Sequence, residues 1–489
     1  MKPQRIVCSL AVVSAWIGFA GCGGMSSGNG NMGVGGAPGV GGNTASGMGG
    51  ATGSGGATTG PGGAGSGGAG LGGNGAAGSG NGGRGGRAGS GAGGSAAGGA
   101  GMTGGTTGGG ASGEDEGTDC TVAALPDSAG LPTIAKLPDP FKKLDGTRMT
   151  TKAEWRCRRE EIRKLAEKFA YGTKPAKPQM VTGTVSNTSI TVSVMDNGKS
   201  TTFNVTVALP TGGSRPYPSI IQYTSAPLDS ATINSEGVAV INYNPFDVGK
   251  EGTGRANKQG AFYDIAGSNS TTGLLVAWGW GVSRIIDVIA QSDGTLLRAD
   301  AVAVTGCSRF GKGAFIAGAF DQRVALTMPI ESGTAGVPIW RNVNQEGAQT
   351  LSSAFGEQPW FGDAFSAFTG APTKAPLDTH ETIAMIAPRG LFIMDNPHIA
   401  NLGPISAHAA SMAGAEVYKA LGAGANITYY SDVQNGTHCS MRPEWVAPLK
   451  SNIEAFLKKT GAPAGVIRAS ASATAREADW VDWTTPTLN

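Results

Sequence analysis

Between Gly23 and Gly117 the chain carries most of its 83 glycines and almost no aromatic or large aliphatic residues. A segment of that composition cannot bury enough apolar surface to offset the entropy of ordering it. We therefore read 23–117 as a disordered tether. That confines the folded part of the 489 residues to one large domain over 118–462, long enough for a sizeable core, and leaves 463–489 as a C-terminal tail.

What precedes the glycines has the form of an export signal. Lys2 and Arg5 give a basic start, and Ile6 to Ala20 form an apolar stretch that is short for a membrane span. It ends in Phe19-Ala20-Gly21-Cys22, which resembles a bacterial lipobox. The expectation is a lipoprotein-type signal over 1–22, with Cys22 lipidated as the mature N-terminus. The domain would then sit at a bacterial cell surface or outer membrane on a leash of about 95 residues, with a random-coil span of roughly 50–60 Å. Ordinary signal cleavage and secretion is the alternative. Of six cysteines, Cys8 leaves with the signal and Cys22 carries lipid. Cys120, Cys157, Cys307 and Cys439 remain, and an even number in an exported domain predicts two disulfides with three possible pairings.

The formal net charge is +2 and no lysine- or arginine-rich block stands out, so nothing points to nucleic acid or to an electrostatic hold on a membrane. Contact with a membrane is expected only through the lipid. The four histidines (His380, His398, His408, His438) and the cysteines show neither His-x-x-x-His nor Cys-x-x-Cys spacing, and no metal is expected.

Within 118–462 the apolar pattern changes along the chain. A helix is predicted from Trp155 to about Phe169. Ser189–Val194 and Thr202–Val207 alternate as strands around the turn Asp196-Asn197-Gly198. Short apolar runs follow at 219–223, 238–241, 301–304, 325–330, 391–394 and 427–430, separated in places by helix-length segments such as 274–290, 311–320 and 406–421. Apolar strands alternating with helices predict a mostly parallel α/β sheet covered on both faces, a three-layer α-β-α sandwich.

Such a sheet presents a nucleophile best on a sharp turn between a strand and the next helix. Ala301–Val304 supplies the strand, Gly306-Cys307-Ser308 the turn, and Gly311 to Ala314 the start of a helix whose N–H groups face an oxyanion. The usual motif has glycine two residues after the serine. Here Phe310 takes that place and Gly311 comes third. In the chain order nucleophile, acid, histidine, His438 fits as the base, because it lies in a loop after the last apolar strand. The other three histidines read as structural. Glu331 and Asp395 each end a strand, and either could orient the imidazole. If Ser308 and His438 meet, their neighbours Cys307 and Cys439 come within reach of a disulfide. Cys120 would then pair with Cys157.

These residues resemble the glucuronoyl esterases, carbohydrate esterase family fifteen, across 118–460; the leader suggests a bacterial member. The strongest piece is Gly306-Cys307-Ser308-Arg309-Phe310-Gly311-Lys312, with the same displaced glycine. Others are Leu137 to Phe141, Asp145 to Arg148, Trp278-Gly279-Trp280-Gly281, Glu331-Ser332-Gly333 with Trp340-Arg341, Gly356 to Phe361, Ile386 to Arg389, and His438-Cys439. The resemblance implies an α/β-hydrolase fold with Ser308 as nucleophile, His438 as base and Glu331 as acid, leaving Asp395 as a backup. It implies that Arg309 helps hold the oxyanion and that Lys312, Gln349 and Glu357 bind hydroxyls of a glucuronoyl ring. It also matches a family disulfide to Cys307–Cys439. Asn401 stands where a sugar-contacting tryptophan is usual, and Ile339 where fungal relatives have a cysteine. Trp278, Trp280 and Trp360 are candidates for stacking on sugar, with core packing the better reading for at least two.

The implied activity is hydrolysis, without cofactor, of the ester joining (4-O-methyl)glucuronate on xylan to a lignin alcohol, by an enzyme expected to be a monomer. Two other readings stand beside it: a carbohydrate esterase of other acyl specificity, such as a xylan deacetylase, and a surface polysaccharide-binding protein without catalysis.

Overall fold

Strand composition sets the sheet. The computed structural model describes residues 113–489 apart from 225 and 435. The signal, Cys22 and nearly all of the glycine-rich segment lie outside the described residues. Ten strands form one sheet in the order β1-β2-β3-β5-β4-β6-β7-β8-β9-β10. Their ranges are β1 Met180–Val185, β2 Ser189–Asp196, β3 Lys199–Ala208, β4 Tyr217–Tyr223, β5 Ala239–Tyr243, β6 Leu297–Cys307, β7 Val324–Ile330, β8 Gly390–Met394, β9 Ile427–Tyr430 and β10 Ile467–Arg468. β1, β2, β3 and β5 pair antiparallel, and every pair from β5 through β4 to β10 is parallel.

Alternating sequences became strands with one wet face, as in β2 and β3, where buried residues recur every second position. The continuous apolar runs became the central strands, of which β8 is buried at every residue. Helices α1 (Trp155–Ala166), α2 (Leu274–Gln291), α3 (Arg309–Phe320), α4 (Thr379–Ile386) and α5 (Pro404–Ala420) belong to the larger core. The smaller core on the other face is closed by Ile233, Trp445, Leu449, Ile453 and Leu457. The outcome is the expected α/β-hydrolase sandwich. α2 is long and apolar enough to cross a membrane, yet it is almost wholly buried in this domain.

Both domain boundaries differ from the sequence reading. The packed chain begins before 118. Glu114 is buried and pairs with Lys174 at 2.7 Å and with Arg284. The glycine-rich composition before it hid this carboxylate, which finds its partners only in the tertiary fold. Nor is 463–489 a loose tail. β10 extends the sheet, Trp483 packs edge-on against Phe141, and the N–H of Asn489 donates to the Thr150 carbonyl. Its contacts are to distant segments, so no local periodicity announced them. β1 was also missed, because Pro175, Pro178 and Gly183 break the pattern that marks a strand.

Candidate active site

The residues expected to carry chemistry lie at the carboxyl ends of the parallel strands, where open α/β sheets place their ligands. Ser308 follows β6 and immediately precedes α3, Glu331 follows β7, Asp395 follows β8, and His438 lies in the loop after β9. Ser308 has φ 60° and its N–H donates to the Ile330 carbonyl at 2.9 Å. This sharp turn explains the glycine spacing. A Cβ on Gly306 would lie 2.6 Å from the Phe310 carbonyl oxygen, and one on Gly311 would lie 2.6 Å from that of Ile330. Phe310 occupies the usual glycine position because its ring packs against Phe246, with centroids 5.7 Å apart, while the close approach to β7 has moved one residue on.

Glu331 and His438 meet. The His438 Nδ1–H donates to Glu331 Oε2 at 2.6 Å, and the Cys439 N–H donates to the same oxygen at 2.8 Å. Because Nδ1 is held by a carboxylate, Nε2 is the nitrogen left to act as acceptor. The second carboxylate oxygen accepts from Arg442 Nη2 at 3.2 Å. Burial works against the charge of Glu331, but the hydrogen bonds from His438, Cys439 and Arg442 carry its pKa below the ordinary glutamate value. Asp395 is different. Its carboxylate accepts from the Asn396 N–H at 2.9 Å, and burial pushes its pKa up to about 8. The structure therefore brings Glu331, and not Asp395, to the imidazole.

Cys307 and Cys439 are joined, with Cα atoms 5.8 Å apart, as are Cys120 and Cys157. The first bridge ties the residue before Ser308 to the residue after His438. Its sulfurs are spent in the S–S bond, so they offer no thiolate to a metal beside Glu331 and His438. A cleft of about 390 Å³ opens over Ser308, lined also by Ala226, Pro227, Arg309, Phe310 and Cys439. A larger cavity of about 530 Å³ includes Asp300, Arg323, Arg389 and Lys459. None of the residues expected to carry chemistry lines it.

The residues expected at the rim form one connected network. Arg309 Nη1 donates to Glu251 Oε2 at 2.9 Å, and its Nη2 lies 3.8 Å from Glu357 Oε1. Gln349 Nε2 donates to Glu357 Oε2 at 2.6 Å, and the Gln349 N–H donates to the Asn401 carbonyl at 3.1 Å. Lys312 is buried. Its Nζ donates to the Ser332 carbonyl and sits 5.1 Å from the centre of the Trp360 ring. Burial pulls the Lys312 ammonium down to about 7, against the nearby carboxylate of Glu357. Trp278 and Trp280 belong to the core, and Trp360 is itself only 2% exposed. The remaining histidines are structural. His380 and His398 each bond a carbonyl, those of Pro138 and Val433, and His408 Nδ1 accepts from the Ala475 N–H.

Two charged residues escaped the sequence reading. Arg442 stands four residues after His438, a spacing that could have flagged it as a partner for the acid. Glu251, in Lys250-Glu251-Gly252, carries no motif; only the fold brings it to Arg309 and Trp360.

A sequence model described as "Glucuronyl esterase, fungi" matches residues 192–422. A 4-O-methyl-glucuronoyl methylesterase of Hypocrea jecorina is 37% identical over 374 residues, covering 76% of this chain and 80% of that protein. Among solved structures, a serine-to-alanine mutant of the Sporotrichum thermophile glucuronoyl esterase, in complex with methyl 4-O-methyl-β-D-glucopyranuronate, superposes with a TM-score of 0.69. Its identity is 35%, and the match covers 76% of this chain and all of that one. A carbohydrate esterase family 15 glucuronoyl esterase from Caldicellulosiruptor kristjansonii matches with a TM-score of 0.64 at 28% identity, covering 73% of this chain and 99% of that one.

Proposed function

The chain belongs to the glucuronoyl esterases of carbohydrate esterase family 15, which makes it a carboxylic ester hydrolase, and on that premise we propose that Ser308, His438 and Glu331 perform the reaction. His438 Nε2 takes the proton of Ser308 as Oγ attacks the uronoyl carbonyl. Glu331 holds the imidazole and stabilises the cation that forms. The free N–H groups at the start of α3 and the Arg309 side chain receive the oxyanion. When the tetrahedral species collapses, the C–O bond to the alcohol breaks and His438 gives that alcohol its proton. Water then enters by the same base and releases glucuronate from Ser308.

The observation that carries this reading is the Glu331–His438 hydrogen bond, locked beside Ser308 by the Cys307–Cys439 bridge. The substrate is an ester of (4-O-methyl)glucuronate, with glucuronoxylan joined to lignin as its source. Lys312, Gln349 and Glu357 bind the sugar hydroxyls from the rim, and Asn401 presents a smaller surface than an aromatic residue would. Benzyl glucuronate should be hydrolysed with a kcat/KM at least about tenfold above that for an aryl acetate, given the ring-binding groups. A preference for the acetate would instead favour the deacetylase reading.

We also propose that Cys22 is lipidated in a bacterial host and that 23–112 tether the domain. The support is Phe19-Ala20-Gly21-Cys22 and the glycine-rich composition alone. The matched family description is fungal, so the bacterial attribution rests on this leader.

A further inference from the structure

Glu251 uses both carboxylate oxygens on the rim of the site. Oε2 accepts from Arg309 Nη1 at 2.9 Å and Oε1 accepts from the Trp360 indole N–H at 2.7 Å. Its own backbone is held on both sides. The Lys250 N–H donates to the Gln259 carbonyl at 2.9 Å, and the Gly252 N–H donates to Gln358 Oε1 at 2.8 Å. The Glu251 side chain is only 10% exposed, whereas that of Arg309 is 41% exposed. A long, partly solvated arginine is thus fastened to a fixed carboxylate, which in turn is fastened to a buried ring.

Arg309 has a second place to go. Glu357 Oε1 lies 3.8 Å from its Nη2, and Glu357 is already engaged by Gln349. Without Glu251 the guanidinium would be free to pair fully with Glu357. That would move it from its present position and disturb the Gln349–Glu357 contact at the same time. A charge-assisted hydrogen bond to a buried carboxylate is strong enough to decide between these two positions.

From this geometry we propose that Glu251 is a positioning residue: it holds the Arg309 guanidinium in register with Ser308 by bracing it against Trp360. This rests on the esterase reading and assigns the aim of Arg309 to a residue outside the triad. Glu251 touches neither the substrate nor the reacting atoms; it acts through Arg309. Its effect belongs in the transition state, where the oxyanion develops, and so in kcat more than in KM.

The test is a double-mutant cycle on benzyl glucuronate. Glu251→Gln is isosteric but offers only one acceptor oxygen, so it cannot satisfy both donors. It should lower kcat by roughly tenfold with little change in KM, and Arg309→Ala should lower kcat by about 100-fold, the effect of losing one oxyanion donor. The double variant should be no slower than Arg309→Ala alone, because Glu251 has nothing left to aim. Glu251→Asp, which keeps the charge but is one methylene shorter, should fall between Glu251→Gln and the wild type. Thermal unfolding of each variant separates loss of fold from loss of aim, and Glu251→Asp serves if Glu251→Gln does not fold. A wild-type kcat in Glu251→Gln, or a further tenfold loss when it is added to Arg309→Ala, would overturn the proposal. Either result would leave the esterase reading intact. That reading fails only if the wild-type enzyme does not turn over the ester or Ser308→Ala still does.

Discussion

Three non-glycine residues with positive φ meet at the site: Ser308 at 60°, Glu331 at 43° and Cys439 at 59°. Left-handed backbone is costly for such side chains, and it is kept where the surrounding fold over-determines it. The two candidate acids show how one residue type takes two roles by environment. Glu331, held charged by three donors, should lose roughly three orders of magnitude in kcat as Glu331→Gln, because the imidazole would lose its orienting anion. Asp395→Asn should stay within a few-fold of wild type. A larger loss in Asp395→Asn than in Glu331→Gln, measured on one ester, would reverse the assignment. Asp395 makes a further prediction about pH. Its folded pKa of about 8 lies above the unfolded value, so the folded state prefers the protonated form. Its contribution to stability is therefore full below about pH 4 and is lost progressively as pH rises towards 8. Asp395→Asn removes that loss, so the melting temperature of the variant minus that of wild type should grow between pH 5 and 8. A difference that stays flat or shrinks would contradict the buried, neutral carboxyl.

At the level of elements, the Cys307–Cys439 bridge links the end of β6 to the loop after β9 and closes 132 residues of chain. Replacing both cysteines by alanine should cost about 2–4 kcal/mol of stability. It should also lower kcat more than removing Cys120–Cys157 does, since only the first bridge flanks Ser308 and His438. Equal effects on kcat would mean that the bridge staples the fold without serving the site. The central strands and the triad-bearing turns were legible in the sequence because they are local: an apolar run, a turn residue, then a helix. The pairings around Arg309 were not, because Glu251 lies about 60 residues before Arg309 and about 100 before the neighbouring Glu357 and Trp360, and only the fold brings them together. Glu114 and the strap 463–489 were illegible for the same reason. A buried acid in a glycine-rich stretch and a polar, alanine-rich segment carry no period to read.

The whole molecule joins one catalytic domain to a glycine-rich N-terminal segment, and the boundary at Glu114 has consequences. A chain starting at 113 should match the full-length protein in kcat/KM and melting temperature. Glu114→Ala in that chain takes from Lys174 its near carboxylate and from Arg284 one of two buried anionic partners, the other being Asp287 at 2.9 Å, and should destabilise it by about 3 kcal/mol. An unchanged melting temperature in Glu114→Ala would place the boundary back at 118. The central claim is that Ser308 is the nucleophile of a glucuronoyl esterase, and turnover of benzyl glucuronate by the wild type and by Ser308→Ala tests it most directly. The account predicts steady release of benzyl alcohol and glucuronate by the wild type, with a loss of at least about 1,000-fold in the folded variant. Undiminished turnover by Ser308→Ala would contradict it.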